Sequence, residues 1–125
     1  MSTNNPALSH HISSQFNEDL QDVHTKFMTM GGLVDQQVAN AIHALLDTNV
    51  NLAIDVQFQD NTVNRYEREI DEGLTLILVR RHPAASDLRM VIAMSKANTD
   101  LERIGDEAAK IARIAQNLCE EGESP

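Results

Sequence analysis

Three apolar stripes at alternating spacings of three and four residues, separated by two short breaks, restrict this chain to long helices. The first stripe holds Ile12, Phe16, Leu20, Val23, Phe27, Met30, Val34, Val38, Ala41 and Leu45. The second holds Leu52, Val56, Val63, Tyr66, Ile70, Leu74 and Ile77, and the third Leu101, Ile104, Ala108, Ile111 and Ala115. The break at residues 47–49 reads "DTN", three residue types that favour turns and helix caps. The break at residues 80–83 reads "RRHP". Two cations suit the negative C-terminal end of a helix, and proline removes a donor and stops it. The expected helices cover about residues 11–47, 50–80 and 84–120, with Ser86 and Asp87 in the first turn of the third. At 1.5 Å rise per residue each is roughly 45–55 Å long.

Short connections between long helices make neighbours antiparallel. The expected class is therefore all-α, an elongated antiparallel three-helix bundle of residues 11–120. Residues 1–10 are expected as a flexible N-terminal tail and residues 121–125 as a C-terminal tail. Gly31 and Gly32 interrupt the first stripe. Each costs a helix interior about 1 kcal/mol relative to Ala. The stripe nevertheless keeps its phase from Met30 to Val34, which a loop would have no reason to preserve. One continuous helix is expected, bent there and approached closely by another backbone.

Charge and composition remove whole classes of function. Nineteen acidic residues against ten basic ones give a formal charge of -9. Such a surface repels phosphate backbones and anionic lipid, so neither a nucleic acid nor direct membrane insertion is expected. Three Phe, one Tyr and no Trp leave no platform for stacking bases. The lone cysteine, Cys119, excludes an internal disulfide and has no neighbour that would activate it. The opening "MSTNNPALSHHISS" lacks an apolar signal core, and the longest apolar run, "LILV" at residues 76–79, is far too short to span a bilayer. A soluble, cytoplasmic protein is expected.

Two pairs of like charges stand one helical turn apart. Glu67 and Asp71 lie in "NRYEREID" on the second helix, and Glu102 and Asp106 in "DLERIGD" on the third. Each pair costs an isolated helix about 0.2–0.5 kcal/mol. Asp60 and Asn64 continue the strip of Glu67 and Asp71. Glu102 and Asp106 stand further from the line of Ile104 and Ala108 and are expected to be the more exposed pair. Antiparallel packing would bring both motifs into one surface patch. Carboxylates without Cys or His partners suit hard cations such as Mg, Ca, Mn or ferric iron. A solvated face of ion pairs is the alternative. Arg65 with Glu69, Arg68 with Glu72, Arg103 with Glu107, and Asp106 with Lys110 all have the required spacing.

Sharper chemistry finds no support. No Glu is followed three residues later by His, as a ferritin-like di-iron site needs, and HExxH is absent. His10, His11, His24, His43 and His82 are scattered. The glycine pair lacks the Lys-Ser/Thr of a phosphate loop, and no Ser or Cys has an identifiable base. No catalytic residue and no organic cofactor is expected.

The stretch "RRHPAASDLRMVIAMSKANTDLERIGDEAAKIARIA" resembles the PhoU family, the phosphate-uptake regulators associated with the phosphate-specific transport system. "ISSQFNEDL" with "MTMGGLVDQQV" is similar to the family's first helix, "NTVNRYEREID" to its second, and "HPAASDLR" with "DLERIGD" to its third. The resemblance implies helical bundles, homodimers or higher homo-oligomers, and metal-binding E(D)xxxD motifs that map onto Glu67, Asp71, Glu102 and Asp106. The metal would be Fe, Mn or Mg. The resemblance also implies repression of the phosphate-starvation response, through contacts with the ATPase subunit of the phosphate ABC transporter and with a phosphate-sensing histidine kinase. Family members usually carry two three-helix units in tandem. This chain matches the first, either as a truncated form or as a single-unit relative. The expected function is that of a non-enzymatic adaptor in phosphate homeostasis. A metal-dependent enzyme built on the carboxylate patch and a purely structural oligomerising bundle are the alternatives.

Overall fold

The computed structural model describes residues 6–122, with side chains from Ser14 onward. Helix α1 runs Pro6–Leu46, α2 Val50–Arg81 and α3 Ala85–Glu120, and there is no strand among the described residues. The register is antiparallel at both seams. Gln36 accepts from Gln59 at one end of the α1/α2 seam, while Arg81 reaches Asp19 at the other. Across α2/α3, Gln57 donates to Gln116, and Asn98 donates to the carbonyl of Glu67.

Local chemistry explains the ends. Pro6 opens α1, where its missing N–H is not needed. Residues 6–10, assigned to the tail on sequence grounds, are helical; residues 1–5 and 123–125 lie outside the described residues. Asn49 caps α2, its side-chain oxygen accepting from the Leu52 N–H at 3.1 Å. α2 ends as "RRHP" requires, with His82 in the left-handed region at φ 47°. Arg81 turns back onto α1, its Nε donating to Asp19 Oδ2 at 2.8 Å and its Nη2 to Gln15 Oε1 at 2.9 Å. That clasp joins the end of α2 to the start of α1.

The core changes character along its length. At the α1 N-terminal end it holds Phe16, Val23, Met30, Val34, Val63, Ile70, Leu74, Ile77 and Val91. At the other end it is built largely of alanine: Ala41, Ala44, Ala53, Ala108, Ala112 and Ala115 around Val56. The small side chains thus gather at the end that carries the turn at residues 47–49.

Two expectations about the packing are corrected. α1 is continuous through Gly31 and Gly32, but no backbone approaches them. A Cβ on Gly31 would meet only the Leu101 side chain at 3.9 Å, and one on Gly32 would meet nothing. The close approaches lie elsewhere and are made by side chains: a Cβ on Gly105 would stand 2.8 Å from Gln37 Oε1, and one on Gly73 2.8 Å from the Val23 side chain. In α3, Ile104 is 49 % exposed, whereas Gly105 is buried between Leu101 and Ala108. The inward face of α3 is thus turned toward Gly105 and away from Ile104. A scan for large apolar residues passes over a glycine, and so misplaces the face.

Candidate functional site

The rotation of α3 moves Glu102 inward. Glu102 is half-buried rather than exposed, and it faces α2. Its carboxyl is held above the ordinary value near 4.5, first by loss of water and then by the charges of Asp106, Glu67 and Asp60, with Arg103 opposing. Four carboxylates of α2 and α3 therefore share one electrostatic field, as the antiparallel register allows. Asp60 and Glu67 are half-buried, and Asp106 is exposed with Lys110 Nζ 3.9 Å away. Asp71 is exposed and is not among the charges acting on Glu102. Of the four motif residues, three are brought together; Asp60 joins them from the strip on which it was placed by spacing alone.

The competing ion pairs form only in part. Arg65 Nε reaches Glu69 at 3.5 Å, and Glu69 also meets Lys26 of α1 at 3.6 Å. Arg103 lies 3.9 Å from Asp100, so it turns from Glu107, which Lys110 takes at 3.3 Å. All these side chains are 40 % exposed or more. Exposed pairs of this kind contribute about 0–1 kcal/mol each. Asp60, Glu67 and Glu102 have no cationic partner among the described residues.

Two buried amides lie beneath the carboxylates, and neither shows in a reading of apolar stripes. Gln37 of α1 is fully buried. Its Nε2 donates to the Val56 carbonyl at 3.4 Å and to Asp60 Oδ1 at 3.3 Å. Both partners only accept, so the amide orientation is fixed and Oε1 points away from them. That oxygen is buried with no partner, and it faces the cradle that a Cβ on Gly105 would fill. Asp60 Oδ1 lies 3.4 Å from the same point. Asn98 of α3 repeats the pattern. It is buried, its Nδ2 donates to the Glu67 carbonyl at 3.0 Å, and its Oδ1 has no partner. An orphaned buried acceptor of this kind costs about 1–3 kcal/mol. Their positions at core phase in α1 and α3 were the only sequence signal for them.

Whether a hard cation suits this patch follows from the donors. All are oxygens, four carry negative charge, and a buried orphaned oxygen lies against the same turn of α3. Among the described residues no three His, Cys, Asp or Glu side chains converge tightly enough to enclose an ion. The donors are of the hard oxygen type, but the set does not form a cage for an ion. Also among the described residues, no helix is long and apolar enough to cross a membrane.

Against known proteins, residues 27–115 match the PhoU domain. A protein of Pseudomonas aeruginosa, the phosphate-specific transport system accessory protein PhoU homolog, is 56% identical over 122 residues, covering 98% of this chain and 50% of the relative. The phosphate-specific transport system accessory protein PhoU of Escherichia coli is 48% identical over 108 residues, covering 86% of this chain and 45% of its own. The crystal structure of PhoU from Pseudomonas aeruginosa superposes with a TM-score of 0.84 at 55% identity, over 88% of this chain and 53% of that one. The chain spans about half the length of the relatives it matches.

Proposed function

Because the chain belongs to the PhoU family, we propose that it is a regulatory module of phosphate transport that acts by docking and not by catalysis. The observation that carries this reading is the 56% identity, over nearly the whole chain, to an accessory protein of the phosphate-specific transport system. In this reading the chain is cytoplasmic and self-associates. It stands between the ATPase subunit of the phosphate transporter and a phosphate-sensing histidine kinase, and holds the starvation response off when phosphate is plentiful.

The chemistry of the surface agrees with docking. The excess negative charge of the carboxylate patch favours a cation or a basic partner surface. A hard cation would be held by Asp60, Glu67, Glu102 and Asp106, with Asp71 at the exposed margin. Such a cation supplies charge neutralisation, which relieves the repulsion among these groups. Affinity would be modest, because water competes strongly at an open carboxylate site.

The test is a pull-down of the transporter ATPase subunit and the sensor kinase, each offered separately to the tagged 125-residue chain. Retention of either at physiological salt is the expected result. Retention of neither, by a chain shown to be folded, would contradict the adaptor reading.

A further inference from the structure

We infer that Gln37 fixes the register of the three helices: from α1 it is bonded to α2 and seated in a slot on α3 that one residue alone provides. Its side chain is fully buried. Its Nε2 donates to the Val56 carbonyl at 3.4 Å and to Asp60 Oδ1 at 3.3 Å, which ties α1 to α2. Its Oε1 lies 2.8 Å from the point where a Cβ of Gly105 would stand. Any other residue type at that point displaces the amide, and Gly105 is the sole glycine of α3. Sliding α3 by three residues, about 4.5 Å at 1.5 Å per residue, would bring a residue with a Cβ onto the amide. Asn98 adds a second tie: its Nδ2 donates to the Glu67 carbonyl at 3.0 Å, so α3 is bonded to α2 as α1 is.

The apolar packing beside this amide does not choose a register by itself. In the alanine-rich half of the core, α3 presents Ala108, Ala112 and Ala115. The same slide of three residues would put Gly105, Ala109 and Ala112 in their places, and all three are again small. It would also put Glu102 where Gly105 stands, against Gln37. The amide thus rejects a packing that the alanines accept. Stability alone does not account for it. Oε1 is buried without a partner, and an apolar side chain of like bulk is close to neutral or stabilising at such a position. The best-attested use of a buried polar side chain between helices is the choice of one register among several that apolar contacts tolerate. The choice shapes the surface as well as the core. With Asn98 on the Glu67 carbonyl and Gln57 on Gln116, it decides which residues of α2 and α3 stand side by side, and so what a partner meets there.

The experiment measures register directly, by electron–electron resonance distances in the whole chain. Spin labels are placed on Asp22→Cys of α1 and Asn117→Cys of α3, both at exposed positions, with Cys119→Ser removing the native thiol. The labels stand far apart along the bundle, so a sliding helix changes their separation. The labelled parent should give one narrow distance. Gln37→Leu should melt at or above the parent temperature, yet its distance distribution should widen or split, with a second population about 4.5 Å away. Thermal melts of Gly105→Ala in both backgrounds complete the cycle. The substitution should lower the melting temperature of the parent. It should raise that of Gln37→Leu or leave it unchanged, because the one contact under 3 Å is then gone. A Gln37→Leu chain with a distance as narrow as the parent's would overturn the inference. So would a Gln37→Leu chain that fails to fold or melts well below the parent, since the amide would then be a stabilising residue. Equal losses from Gly105→Ala in both backgrounds would show that the slot is not built for Gln37, and overturn it too.

Discussion

Glu102 is where the cost of gathering carboxylates falls. It has lost part of its water, and three neighbouring carboxylates act on it. A carboxyl raised in the folded state binds its proton more tightly there than in the unfolded chain, so its ionisation weakens the fold. The penalty is absent below the unfolded value near 4.5, grows as pH rises through the raised folded value, and is constant above it. Glu102→Gln removes the charge and keeps the shape. At pH 7 the variant should melt above the parent by about 1–3 °C, the scale of a like-charge contact in a domain of this size. Below pH 4.5 the two should coincide. Melts of both proteins across pH 4–8 check this; a variant that melts lower at pH 7 would mean that the Glu102 carboxylate holds the fold together. The same substitution should weaken cation binding.

Helices α1 and α3 each carry glycine in mid-helix, with opposite consequences. A Cβ on Gly32 would meet nothing, so Gly32→Ala should stabilise by about 1 kcal/mol through lost backbone freedom in the unfolded chain. A Cβ on Gly105 would press on Gln37 Oε1 at 2.8 Å, so Gly105→Ala should destabilise by about 1–3 kcal/mol, the cost of overpacking. Urea unfolding of both variants measures the difference, and equal signs would refute the packing described here. At the start of α2, Asn49→Ala should cost about 1 kcal/mol in the same assay by removing the cap on Leu52. These elements also show what the sequence could reveal. Stripes, breaks and caps were legible because large apolar residues and turn residues announce themselves by spacing. The face of α3 was not, because it is set by Gly105 and Asn98 while Ile104 stays outside. The two pairs of carboxylates were legible as a pattern. The half-burial of Glu102, the entry of Asp60 and the amide of Gln37 depend on which residues face each other across three helices, and spacing within one helix carries none of that.

As a body, the bundle presents an alanine-rich end, a clasped end at Arg81 and Asp19, and a carboxylate patch along the α2/α3 seam. The chain spans about half the length of the PhoU relatives it matches, so the proposed regulatory role is tested on the gene as it stands in the cell. The most direct measurement is therefore made in the cell. A reporter driven by a phosphate-starvation promoter is read in high phosphate, in a strain deleted for the gene that encodes this bundle. The reporter should be switched on despite the phosphate, and fall silent when the gene is restored. Full repression in the deletion strain would contradict the account.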